Sequence, residues 1–188
     1  MQGSQFNQGV RRARARGFTM VELMVVVALV GILATIAQAS VKKYVASSKA
    51  TEANRMLKFI KTQQDAYYGE KMHYLNVSKN FDTASFFPAN STPGQAKMNF
   101  AGTGAIANGW KELGVTDYGP LYFVYATTAG AAGTAPTPTG TDIKVGNWPT
   151  TSDKAWYAAK AIADLSGNGE NTVFVTGSFT GEIFSVND

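Results

Sequence analysis

The sequence has no cysteine among its 188 residues. Disulfides, thiolate nucleophiles and cysteine-based metal sites are therefore excluded. Stability outside a cell must come from packing, hydrogen bonds or a bound ion. Histidine is nearly as scarce. His73 is the only one, and a lone histidine after a helix reads as a packed or solvated side chain, not a catalytic or metal-binding group. The chain carries no nucleophile–base pair, no phosphate-cradling glycine loop and no metal-ligand cluster, which argues against an enzyme. Most of it also lacks excess charge. Of 17 Lys and Arg residues, four (Arg11, Arg12, Arg14 and Arg16) lie in residues 1–17, which hold no acid, and the other 13 are balanced by 13 Asp and Glu. The formal net charge of +4 therefore belongs to the N-terminal segment. The body offers no overall attraction to nucleic acid. Tyr67, Tyr68 and Tyr74 read as packing residues, not as a stacking platform for single strands.

The longest feature present is an apolar run. Phe18 to Ala39 is 22 residues in which only Thr19, Glu22, Thr35 and Gln38 are polar. As a helix it would be about 33 Å long, which matches a hydrocarbon core of about 30 Å. The four arginines before it predict a cytoplasmic N-terminus and a translocated body. Lys42 and Lys43 follow the span closely enough to snorkel to the interface. Beyond Ala39 the helical pattern continues, with no proline and no glycine until Gly69. Ala46, Ala50, Ala53, Leu57, Ile60, Gln64 and Tyr67 alternate at spacings of four and three, one stripe of an amphipathic helix. Lys49, Glu52, Lys58 and Asp65 lie off that stripe. One helix from about Phe18 to about Glu70 is predicted.

The remainder changes character. Residues 76–117 are rich in Asn, Ser, Thr and Gly, with Phe81, Phe86, Phe87, Phe100 and Trp110 as scattered anchors, and predict loops with a short helical turn or two. Strand signals follow at Leu121–Ala126, Trp156–Ala163, Thr172–Thr176 and Glu182–Ser185. Gly177 to Gly181 reads as a hairpin turn. Thr127–Thr141 is low in complexity and predicts a mobile surface loop. The fold class is thus α+β: a long N-terminal helix, apolar in its first half, with a small C-terminal antiparallel sheet packed on its second. The organisation reads as a leader over 1–17, an apolar half-helix over 18–39, an amphipathic half over 40–75 and a globular head over 76–188.

The boundary at Gly17 carries the functional reading. A secretory signal places its small-residue cleavage site after the apolar region. Here Gly17 comes before it, so a cut there keeps the whole apolar helix on the mature chain. Glu22 lies five residues into the run, where a carboxylate is costly in a membrane. A cut after Gly17 would create an α-amino group on Phe18. In a helical assembly, one subunit's amine could pair with a neighbour's Glu22 and fix the register of helices that could otherwise slide. A second candidate site is the stretch Asp164 to Asn171, where Asp164, Ser166, Asn168 and Glu170 place oxygen side chains at alternate positions around Gly167 and Gly169. Calcium loops share that alternation, although the pattern lacks the final ligand of an EF-hand; a solvated turn is the competing reading.

The stretch RRARARGFTMVELMVVVALVGILATIAQAS resembles the leader and N-terminal helix of type IV pilins and the related pseudopilins. That resemblance implies a prepilin peptidase that cuts after Gly17 and methylates Phe18. It gives Glu22 the assembly salt bridge, with Thr19 helping to position it. It further implies a homo-oligomeric helical filament, an inner-membrane assembly platform and a cytoplasmic ATPase. The subunit would reside in the inner membrane as a precursor and then in an extracellular pilus serving adhesion, surface motility or DNA uptake; the alternative is a periplasmic type II secretion pseudopilus or a minor pilin. Two departures stand out. Many family members carry proline at the position of Ala39, which leaves Gly31 as the soft point, at about 1 kcal/mol relative to alanine. Many also close the C-terminal region with a disulfide, which is impossible here.

Overall fold

The computed structural model describes residues 17–88, 93–116, 119–134, 149 and 151–186. Its elements in chain order are α1 (Met20–Lys71), a 3-10 turn (Thr83–Ser85), α2 (Ala105–Glu112), β1 (Val124–Gly130), β2 (Trp156–Ala163), β3 (Thr172–Gly177) and β4 (Phe184–Val186). The chain divides into two compact units, Met1–Lys42 and Lys43–Asp188.

In the first unit, every residue from Gly17 to Val41 whose exposure is described is exposed. The stretch reaches a mean hydropathy of 2.6, so α1 is long and apolar enough to cross a membrane. Gly31 sits inside regular helix with open space where a Cβ would be.

In the second unit, the predicted stripe is the buried face of the helix. Ala53, Leu57, Ile60 and Gln64 are fully buried, joined by Met56. They pack on a four-stranded antiparallel meander in the order β1-β2-β3-β4. β2 is rich in alanine, a weak strand former, yet it is paired on both edges and buried on both faces. Pairing and burial override local propensity there. Ala159, Ala161 and Ala163 belong to the core that holds the helix stripe, with Phe123, Tyr125 and Phe174. Alternate positions, Trp156 and Ala158, join Phe81, Phe86, Val124 and Ala126 in a second cluster. The remaining anchors also collect. Phe87 meets Phe100 edge to face at 4.8 Å, and Phe100 meets Trp110 at 5.6 Å. These three rings fill the main core with α2 residue Ala107.

Strand limits differ from expectation at β1 and β4. Leu121 makes only an isolated bridge to Met98, and β1 runs instead through Thr127 to Gly130, residues expected to open a mobile loop. The cause is pairing: Thr127–Gly130 face Ala159–Trp156 in the ladder, and Thr127 is fully buried. Residues 135–141 of that expected loop lie outside the described residues. β4 likewise begins at Phe184, opposite Val175, and ends at Val186.

Polar side chains also bind the helix to the head, Gln64 and Glu52 among them. Gln64 Nε2 donates to the Leu75 carbonyl at 2.9 Å and to Thr127 Oγ1 at 3.2 Å, and its Oε1 accepts the Leu75 N–H at 3.0 Å. Glu52 Oε1 accepts the Tyr122 N–H at 2.7 Å. Burial pushes the Glu52 carboxyl above its ordinary range, against the pull of that N–H and of Lys97 and Lys49. Both lysines lie over the Tyr122 ring, at 4.4 Å for Lys49 and 5.2 Å for Lys97.

Candidate functional site

A helix leaves its first N–H groups without partners, and an apolar helix has few side chains to supply them. Thr19-Met20-Val21-Glu22 solves this locally. The Thr19 Oγ1 accepts the Glu22 N–H at 3.2 Å, while Glu22 Oε2 reaches back to accept the Thr19 N–H at 2.9 Å and its hydroxyl at 2.8 Å. This is a reciprocal capping box, completed by the Leu23 N–H donating to the Thr19 carbonyl at 3.2 Å. The acid also sits in the first helical turn, where the helix dipole favours negative charge. In the sequence alone, Thr19 is tied to Glu22 only through the family resemblance. The Thr-x-x-Glu pattern ahead of an apolar run was a sufficient signal for the cap.

Around this cap lies bare apolar surface. Phe18 is 84% exposed and Met20 82% exposed. Leu23, Val27 and Leu33 are each more than half exposed as well. Gly17 and Phe18 precede the first helical turn and are not in regular structure. A continuous apolar surface of this kind is unfavourable in water and marks a contact with lipid or protein.

The second candidate, the turn between β2 and β3, is internally bonded. Asp164 Oδ1 accepts the Gly167 N–H at 2.7 Å and the Ser166 hydroxyl at 3.3 Å, and Oδ2 accepts the Gly169 N–H at 2.9 Å. The Gly169 N–H, first among these donors, holds the carboxyl below its usual range. Asn168 Oδ1 accepts the Ser166 hydroxyl at 2.6 Å and the Glu170 N–H at 2.8 Å, and its Nδ2 donates to Glu170 at 3.3 Å. Gly167 and Gly169 both adopt positive φ, 76° and 86°, which the tight turn requires. The four oxygen residues are thus brought together, with the Asp164 oxygens turned toward the turn's own donors. Among the described residues no group of three or more His, Asp or Glu is placed to hold a metal ion.

The remaining singled-out residues pack against one another. His73 Nδ1 lies 2.9 Å from the Lys71 carbonyl, and its ring meets Tyr67 edge-on at 5.6 Å. The Tyr67 hydroxyl donates to Glu112 at 2.8 Å. Tyr68 stacks on Tyr74 at 4.6 Å, and Tyr74 meets buried Tyr157 at 4.9 Å.

Comparison with known proteins adds to this geometry. Residues 12–38 match the family described as the prokaryotic N-terminal methylation motif. The type IV major pilin protein PilA of Myxococcus xanthus is 46% identical over 84 residues, 45% of this chain and 36% of that protein. Fimbrial protein Q of Moraxella bovis is 36% identical over 107 residues, which cover 54% of this chain and 68% of that protein. Fimbrial protein EcpC of Eikenella corrodens is 43% identical over 56 residues, 30% of this chain and 37% of its own. The chain thus spans about a third of the Myxococcus and Eikenella proteins and two thirds of the Moraxella one. No solved structure matches.

Proposed function

This chain belongs to the type IV pilin family, and on that premise we propose that it is the structural subunit of a type IV pilus. The observation that carries the reading is the apolar surface of Phe18 to Val41, exposed at every position whose exposure is described. Lipid covers it in the precursor; other copies of the same helix cover it in a filament. A prepilin peptidase cuts after Gly17 and methylates Phe18. The exposed, non-helical placement of Gly17–Phe18 suits access by such an enzyme. Glu22 then pairs with the Phe18 amine of a neighbouring copy, and Thr19 holds the carboxylate at the helix start. The assembly platform and its ATPase in the inner membrane are the remaining partners, and the filament serves adhesion, surface motility or DNA uptake. The chain is a substrate and building block rather than an enzyme.

Filaments sheared from producing cells, viewed by electron microscopy and analysed by mass spectrometry, test this. Fibres built from a chain that begins at methylated Phe18 are the expected result. A processed chain confined to the envelope without fibres would favour a secretion pseudopilin or a minor pilin. An intact N-terminus in cells with active prepilin peptidase would overturn the processing step.

We assign no cation to the Asp164–Glu170 turn, whose Asp164 carboxylate is turned toward the turn's own N–H and O–H donors. Millimolar calcium should therefore leave the melting temperature of the detergent-solubilised chain unchanged. A rise that chelation reverses would restore the calcium reading.

A further inference from the structure

The second half of α1 turns one stripe into the core and leaves the opposite side exposed, with Ser48, Thr51 and Arg55 bordering a cleft with Gly119–Leu121 and Lys58 bordering a groove with Thr176 and Glu182. Ser48, Thr51, Arg55, Lys58, Thr62 and Asp65 lie on that side, and all six are exposed. They form two adjoining rows with a seven-residue repeat, close to two helical turns. The Thr51 and Thr62 hydroxyls bond back to the Ser47 and Lys58 carbonyls, at 3.0 Å each. Charge on this face therefore comes from Arg55, Lys58 and Asp65. None of these three side chains has a hydrogen-bond or ion-pair partner among the described residues, although Asp65 lies within electrostatic reach of the Tyr74 and Tyr157 hydroxyls.

The order of those charges matters. Two cations precede one acid along the axis. Two parallel copies side by side without displacement would set Lys58 against Lys58 and Asp65 against Asp65. A displacement of seven residues, about 10 Å, brings Lys58 of one copy level with Asp65 of the other, and about 15 Å does the same for Arg55. The small hydroxyl side chains between them allow close approach.

We propose that this face is a second register surface of the filament, on which Lys58 and Arg55 of one copy meet Asp65 of an axially displaced copy. It rests on the reading of the chain as a pilus subunit. The charges run in the same order as in the N-terminal pairing, where Glu22 also lies C-terminal to the amine it would meet; that pairing spans only four residues, about 6 Å, so the two surfaces engage different neighbours of one subunit. A single exposed ion pair is weak in water. Repeated at every subunit, and opposed by like-charge contact in the undisplaced arrangement, it favours a displacement of about 10–15 Å.

The test is charge reversal and its rescue in producing cells. Lys58→Asp and Asp65→Lys should each reduce sheared filament at least tenfold, while immunoblots show unchanged chain in the membrane. The double variant Lys58→Asp/Asp65→Lys should restore filament to within about twofold of wild type. Wild-type yield from either single variant, or a double variant no better than the singles, overturns the register surface and leaves the subunit reading intact. Absence of filament from the wild-type chain overturns both.

Discussion

Replacing Gln64 with leucine is expected to lower the unfolding free energy of the head by about 2–4 kcal/mol, because three hydrogen bonds are lost and the Leu75 backbone groups are left without their partners. Leucine is close to glutamine in volume, so the cavity term is small and the loss measures polar bonding. The Gln64 amide grips the Leu75 backbone at both its N–H and its carbonyl, just past the end of α1. It also donates to Thr127 Oγ1, which itself donates to the Ala158 carbonyl at 3.2 Å. One side chain therefore joins the helix, the chain that leaves it and the β1–β2 ladder. With leucine there, the Leu75 N–H and carbonyl lose these partners, and the Thr127 hydroxyl keeps only its bond to the Ala158 carbonyl. Urea unfolding of the detergent-solubilised chain, followed by tryptophan fluorescence, measures the change. A loss below about 1 kcal/mol, the size of a single ordinary hydrogen bond, would mean that the clamp is redundant.

Gln64 also shows where sequence reading stops. The spacing of Ala53, Leu57, Ile60 and Gln64 identified the buried stripe, because a 3.6-residue period is a local property of the chain. Tyr67 at the end of the same stripe is half-buried. The scattered aromatics, from Phe81 to Trp110, were legible as anchors for the same reason: residues of that size must be buried somewhere. Spacing did not reveal what Gln64 bonds, since Thr127 is 63 residues away. The limits of β1 were hidden in the same way. A Thr- and Ala-rich stretch has no strong preference of its own, and the β2 ladder decides that Thr127–Gly130 are strand. Lys49 and Glu52 read only as off-stripe charges, yet they contact the Gly94 carbonyl at 3.2 Å and the Tyr122 N–H. The N-terminal site lies at the opposite extreme. Gly17, Phe18, Thr19 and Glu22 are six consecutive positions' worth of sequence, so their pattern was visible without a fold; the one contact overlooked there, the capping box, was also local.

That capping box sharpens the last prediction. Glu22 has two roles in the proposed assembly, and they respond differently to substitution. As a cap it needs only an acceptor that reaches the Thr19 N–H, which glutamine provides equally well at this position. As the partner of a neighbour's α-amine in an apolar setting it needs a negative charge, because an amine left there without one is strongly disfavoured. Glu22→Gln is therefore expected to keep the helix start and membrane level of the chain but reduce sheared filament at least a hundredfold. Thr19→Ala should do the reverse: it removes a cap worth about 1 kcal/mol while leaving the carboxylate free to find the amine, so filament falls by tenfold at most. Filament yield, with immunoblots of the membrane fraction as control for chain level, separates the two. Should Glu22→Gln assemble as well as wild type while Thr19→Ala fails, the residue is a helix cap alone, and the charge-pair account of assembly is wrong.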